Sequence, residues 1–120
     1  RPAIFYGPGP QEAELAAPVL HGLPNALDAG GRFSLTETAA MLARCALYIG
    51  NDSGLMHLAA AAATPTLGLF GPSRASEYAP TGAVTHWVEA PGPEGHAPIA
   101  DLSVERVANA ALALLTRTQA

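Results

Sequence analysis

Short apolar runs alternate along this chain with longer segments in which apolar residues recur at helical spacing. Ala3-Ile4-Phe5-Tyr6 reads as a buried strand, and Gly7-Pro8-Gly9-Pro10 as the turn that closes it. Gln11 to Leu20 follows as a helix that Pro18 is expected to kink or end early. Asn25 to Asp28 suits a short strand before the turn Ala29-Gly30-Gly31-Arg32. Ser34-Leu35-Thr36-Glu37 has capping-box spacing and opens a helix to about Arg44, with Leu35, Ala39, Leu42 and Ala43 on one face. Ala46 to Ile49 reads as a strand, Gly50 to Gly54 as a polar turn and cap, and Leu55 to Ala63 as a helix. Thr66 to Phe70 is another strand, closed by Gly71-Pro72-Ser73. Residues 74–82 suit a loop or a single helical turn, Thr85 to Glu89 a strand, and Ala90 to Ala100 a Pro/Gly-rich loop. Ser103 caps a last helix, Val104 to Leu115, whose apolar stripe is Val104, Val107, Ala108, Ala111, Leu112 and Leu115. Strands alternating with helices in this way predict an α/β fold, an open parallel sheet with helices on both faces. No repeat and no internal domain boundary interrupts the pattern.

Bulk composition narrows the class. The chain has 120 residues, enough for one small domain, and is 49% hydrophobic but only 13% charged, so it can bury a core. Its formal net charge is −4, and its basic residues are all Arg, scattered singly along the chain. That distribution offers no basic stripe to nucleic acid, so a nucleic-acid partner is not expected. Cys45 is the only cysteine, which excludes an internal disulfide and fits a reducing compartment; at an apolar helix end it reads as a buried, inert thiol. No segment has the length of a membrane span, and no signal-peptide pattern opens the chain. The start at Arg1-Pro2, directly before an apolar run, reads as a piece of a longer protein.

The candidate chemistry lies in Asn51-Asp52-Ser53-Gly54-Leu55-Met56-His57, where a strand runs through a polar turn into a helix. In a βαβ unit the turn after a strand's C-terminal end is where ligands bind, and the helix N-terminus offers free N–H groups to an anion. The N–H groups of Ser53, Gly54 and Leu55 suit a diphosphate, and Gly54 lets a ligand approach the backbone. A carboxylate beside phosphates would repel them, so Asp52 is placed on sugar hydroxyls instead. A blander reading competes at each position. Asp52 or Ser53 can be an ordinary N-cap, and His57, a donor to a phosphate or to the turn's backbone in the first reading, is a satisfied core residue in the second.

Asn51 to Ala61, then Thr64-Pro65-Thr66 and Leu69-Phe70-Gly71-Pro72-Ser73, closely resemble the family 9 glycosyltransferases, the lipopolysaccharide heptosyltransferases. Their C-terminal half carries an Asp-Thr/Ser-Gly-x-x-His-Leu-x-Ala-Ala helix start, then a strand leading to Gly-Pro-Thr/Ser. Tyr6-Gly7-Pro8-Gly9-Pro10-Gln11-Glu12 and Gly31-Arg32-Phe33-Ser34-Leu35 resemble two further motifs of the family, in the same order. The resemblance implies a GT-B fold of two Rossmann-like domains, of which this chain is the C-terminal, donor-binding one without its first strand and helix. It implies that Asp52 meets the donor sugar, that Ser53, Gly54 and Leu55 hold the diphosphate, and that His57 is a secondary contact near the phosphates. It also implies Glu12 on the ribose and Phe33 against the base, the latter beside the alternative of an ordinary core aromatic. Gly71, Pro72 and Ser73 are expected to shape the cleft wall.

The implied donor is a nucleotide-diphosphate sugar, commonly ADP-heptose, and the implied acceptor a lipid-linked glycan of the lipopolysaccharide core. Transfer would need no metal and no cofactor. The catalytic carboxylate is expected in the N-terminal domain, outside this chain, so the fragment alone is expected to be inactive. The family's basic residue beside the diphosphate has no counterpart, for the chain holds no Lys and no Arg at a matching place. The resemblance further implies a cytoplasmic protein, peripheral at the inner face of the inner membrane, and an exposed cleft face that permits homo-association. A non-catalytic Rossmann-like binding or assembly module is the alternative. A dehydrogenase-like dinucleotide domain fits poorly, because Gly7-Pro8-Gly9-Pro10 lacks the glycine spacing and its prolines remove N–H groups.

Overall fold

A computed structural model describes residues 1–82 and 84–119. The chain gathers into two compact units, Arg1–Thr38 and Ala39–Ala120. Every paired strand is parallel, as the α/β alternation predicts, and the pairing falls into two ladders.

In the first unit β1 (Ala3–Tyr6) pairs with β2 (Leu27–Gly30), and α1 (Pro10–Gly22) connects them. Pro10 opens α1, where a missing N–H costs nothing. The helix runs past Pro18 to Gly22 instead of ending early. Pro18 is exposed, so water can satisfy the Glu14 carbonyl that its ring leaves without a donor. β2 begins later than expected because the Ala26 N–H donates to the Leu23 carbonyl, drawing Asn25 into a turn. The Leu27 N–H then donates to the Pro2 carbonyl and sets the register Ala3 to Leu27 through Tyr6 to Gly30. The Tyr6 ring lies over Gly30, and the Asp28 carboxylate beside its hydroxyl raises the phenol's pKa above its ordinary value. Gly31 follows at φ +58, where a side chain would also press on Pro8 Cα at 2.8 Å.

α2 (Leu35–Ala43) leads into the second unit. Its capping box forms: the Glu37 N–H donates to Ser34 Oγ at 3.1 Å, and the Ser34 N–H donates to Glu37 Oε1 at 2.8 Å. Of the expected apolar face, Leu42 is fully buried and Ala39 half-buried, whereas Leu35 is 75% exposed and Ala43 is exposed too. Leu35 opens the helix, and its side chain, tilted toward the N-terminus, projects past the packed layer. Cys45 is half-buried, not buried, and its thiol donates to the Met41 carbonyl at 3.5 Å.

The second unit orders its strands β3 (Tyr48–Asn51), β4 (Thr66–Phe70) and β5 (Thr85–Glu89), all parallel. β3 starts later than Ala46 because backbone turns at Arg44 and Cys45 finish the preceding helix, and it takes in Gly50 and Asn51. One sheet face carries Leu67, Leu69 and Val88, covered by Ala111 and Leu114 of α5 (Val104–Gln119). The other carries Phe70, packed with Met56 of α3 (Gly54–Ala61) and Ala75 of α4 (Ala75–Tyr78). Burying a side chain such as Leu67 or Leu114 contributes about 1.5–3 kcal/mol, so these contacts anchor both helix layers. The buried line of α5 is Val107, Ala111 and Leu114, with Ala110 beside it, while Val104 is 85% and Leu112 62% exposed. Apolar residues cover more than one side of this helix, and the sheet takes only the i, i+4, i+7 line.

α3 stops at Ala61, before the expected Ala63, in a complete Schellman motif. The Thr64 N–H donates to the Ala59 carbonyl and the Ala63 N–H to the Ala60 carbonyl, with Ala63 left-handed at φ 62. Thr64 and Thr66 are buried, and both hydroxyls are satisfied: Thr64 Oγ1 donates to the Leu42 carbonyl at 2.6 Å and Thr66 Oγ1 to the Thr64 carbonyl at 2.7 Å. Among the described residues, no helix is long and apolar enough to cross a membrane.

Candidate functional site

The strands of the second unit all end at one edge, and the turn Asp52–Ser53 leaves β3 there to enter α3. Ser53 is extended (φ −159, ψ 167) and caps the helix, its Oγ accepting the Met56 N–H at 3.4 Å. The cap is therefore Ser53, and Asp52 is free of that duty. By helix geometry the N–H groups of Gly54 and Leu55, at the first helical positions, have no intrahelical acceptor. Gly54 is exposed, and a Cβ built on it meets no protein atom within 4 Å. Nothing in the protein's own packing requires a glycine there.

Asp52 Oδ1 lies 3.6 Å from His57 Nε2, with side chains 20% and 48% exposed. His57 is thus no core residue: it stands at the surface, one turn into α3, within ion-pair reach of Asp52 when the imidazole carries a second proton. Asp52, Ser53, Gly54, Leu55 and His57 come together as one cluster of carboxylate, hydroxyl, imidazole and free N–H groups. That set can accept hydrogen bonds from hydroxyls at one end and donate them to an anion at the other.

Glu12 and Phe33 belong to the first unit, after β1 and β2 respectively. Glu12 sits in the first turn of α1 with its side chain beside Gly7. Phe33 is exposed and not a core aromatic; the Arg32 guanidinium lies 5.3 Å from its ring centre, a cation–π contact. Arg32 also donates to the Asp28 carbonyl at 2.7 Å, which fixes the guanidinium beside that ring.

Gly71 and Ser73 line a small, open cleft with Phe70, Glu89 and Glu94 at the same edge as the Asp52 turn. A Cβ on Gly71 would stand 2.8 Å from both the Ala97 carbonyl oxygen and the Ile99 nitrogen, so this glycine admits the returning loop. Glu94 ties that loop to α4, accepting from the Ser76 N–H at 2.9 Å and from the Ser76 hydroxyl. Those bonds hold its carboxyl below the ordinary carboxylate range.

One residue of the cluster's surroundings escaped the pattern reading: Tyr48. It packs against Met56, Phe70 and Ala75, with its ring over Gly50. Burial pushes its phenol pKa up, and the Ser53 hydroxyl nearby partly offsets that shift. The one signal in the sequence is the spacing Tyr-x-Gly, which sets an aromatic and a glycine on the same strand face.

The chain is similar to known proteins. Over 50 residues, 42% of this chain, it is 42% identical to "Lipooligosaccharide heptosyltransferase 2" of Haemophilus influenzae, a stretch equal to 14% of that relative. It is 44% identical over 43 residues to "Lipopolysaccharide heptosyltransferase 2" of Salmonella typhimurium, covering 36% of this chain and 12% of that one. The solved structure of E. coli ADP-heptose LPS heptosyltransferase II superposes on 98% of the chain with a TM-score of 0.84 at 27% identity, and the chain spans 37% of its length. The fold is thus that of part of a GT-B heptosyltransferase. The sequence profile of glycosyltransferase family 9 (heptosyltransferase) matches residues 3–98, and the chain belongs to that family.

Proposed function

We propose that this chain is the donor-binding part of a glycosyltransferase that moves a sugar from a nucleotide diphosphate, ADP-heptose or a close analogue, to a lipopolysaccharide core or related glycan. The observation that carries this reading is the division of labour at the turn. Ser53 caps α3, which leaves the carboxylate of Asp52 and the first helix N–H groups available to a ligand. A diphosphate at those N–H groups gains from hydrogen bonds and from the helix dipole, about 0.3–2 kcal/mol for the dipole. Asp52 accepts from the donor sugar's hydroxyls, and His57 steadies Asp52 and contacts the phosphates. The family resemblance assigns Glu12 to the ribose and Phe33 to the base.

Transfer also requires an activated acceptor hydroxyl in line with the anomeric carbon. In this reading the activating carboxylate and the lipid-linked acceptor belong to a part of the protein outside this chain, and the reaction uses no metal and no cofactor. The chain's own residues bind the leaving nucleoside diphosphate and stabilise its charge. The whole protein then works in the cytoplasm at the inner face of the inner membrane.

Calorimetric titration of the whole natural protein with ADP-heptose and with ADP tests the assignment. Asp52→Ala should weaken the sugar nucleotide by roughly 10-fold or more, as loss of hydrogen bonds to a charged group does, and weaken ADP less. Equal losses for both ligands would move Asp52 off the sugar. Absence of any binding by the unaltered protein would overturn the reading.

A further inference from the structure

Phe33 stands between two fixed points of the first unit's backbone. Before it, β2 ends at Gly30, and the Gly31 N–H donates to the Tyr6 carbonyl at 2.8 Å as the chain turns through the left-handed region at φ +58. After it, Ser34 caps α2 in the closed capping box. An apolar residue just ahead of a cap ordinarily packs on the fourth residue of the helix as a hydrophobic staple. Here that residue is Thr38, whose hydroxyl donates to the Ser34 carbonyl at 2.9 Å, and Phe33 stays 37% exposed. Its ring is met instead by Arg32, whose guanidinium carbon lies over it, 5.3 Å from the centre.

The guanidinium is itself held. It donates to the Asp28 carbonyl at 2.7 Å, four residues back. The Asp28 carboxylate is engaged elsewhere, accepting the Gly30 N–H at 3.1 Å. A guanidinium is planar and permanently charged, and it stacks on an aromatic face in a way an ammonium does not. Fixed at one end by a backbone hydrogen bond and resting on the ring at the other, it restricts the ring's rotation. We propose that Arg32 is a positioning residue: anchored on Asp28, it holds Phe33 in one orientation as a flat platform on which the nucleobase of the donor stacks. Arg32 acts through the ring and does not touch the ligand. Stacking reads no hydrogen-bonding edge and follows the overlap of the rings, so the platform favours a purine over a smaller pyrimidine. The inference rests on the donor-site reading above.

The test is a double-mutant cycle on the whole natural protein, with ADP and UDP as titrants and melting temperatures measured alongside. Arg32→Met keeps an unbranched side chain but removes the charge and the bond to Asp28. It should raise the ADP Kd about 3-fold, the size of one exposed cation–π contact, and the UDP Kd less. Phe33→Leu should raise the ADP Kd about 10-fold, the loss of one stacked base, and adding Arg32→Met to it should change nothing further. Unchanged ADP affinity in Arg32→Met overturns the proposal, whether or not the melting temperature falls. An undiminished loss on adding Arg32→Met to Phe33→Leu overturns it too, since Arg32 then meets the ligand directly. Equal losses for ADP and UDP in Arg32→Met mark an effect on their shared ribose and diphosphate and also overturn it. If the unaltered protein binds no ADP, the donor-site reading falls and this inference with it. If ADP-heptose binding is weakened by Asp52→Ala but ADP binding is untouched by Arg32→Met, only the positioning role falls.

Discussion

Asp52 and Ser53 are neighbours with separate duties, and the separation follows from backbone geometry. Ser53 has the extended φ and ψ of a cap, and its short hydroxyl reaches the Met56 N–H. Asp52 stands one residue too early to do so and turns to His57 instead. Single residues elsewhere carry equally local consequences. Ala63 ends α3 in the left-handed region, where a Cβ costs about 1–2 kcal/mol. Ala63→Gly removes that cost and loses part of it to backbone entropy, so it should stabilise the protein by about 0.5–1 kcal/mol, read as a raised urea midpoint. Gly71 works the other way. Its missing Cβ leaves room for backbone atoms of the loop at Ala97 and Ile99, so Gly71→Ala should destabilise by about 1–3 kcal/mol in the same denaturation assay.

At the scale of elements, side-chain carboxylates fasten helix starts. Ser34 and Glu37 close the α2 capping box, and Ser34→Ala should cost about 1 kcal/mol in urea denaturation. Backbone and side-chain hydrogen bonds from Ser34 hold the Glu37 carboxyl below its ordinary value, and those from Ser76 do the same for Glu94. A carboxylate depressed in the folded state stabilises above its unfolded pKa, and that contribution is lost as pH falls through the folded value. Urea midpoints should therefore drop on acidification through and below the carboxylate range, and less steeply in Glu94→Gln than in the parent. The capping box, β1, β4, β5 and the α4 turn were legible from spacing alone, because local hydrogen bonding and short apolar runs decide them. The starts of β2 and β3 were not, since each is set by pairing with a distant strand or by the preceding helix's last turn. The buried side of α5 was also hidden, because its apolar residues form more than one line and only packing selects among them.

At the scale of the whole molecule, membership of glycosyltransferase family 9 rests on a match over residues 3–98 and on a superposition covering 98% of the chain. The motif around Asp52 was legible because cap, glycine and helix follow in order. Tyr48 was not, because its packing against Met56, Phe70 and Ala75 joins residues distant in sequence. Gly54 offers the most direct test of the proposed donor site. A Cβ there meets no protein atom within 4 Å, so a side chain at this position leaves the fold intact and obstructs only what approaches the N–H groups from outside. Titration of the whole natural protein with ADP should show binding that Gly54→Val weakens at least about 10-fold with little change in melting temperature, as expected when a side chain displaces a diphosphate from a helix N-terminus. Full ADP affinity in a stably folded Gly54→Val protein would contradict the assignment of the diphosphate to this turn.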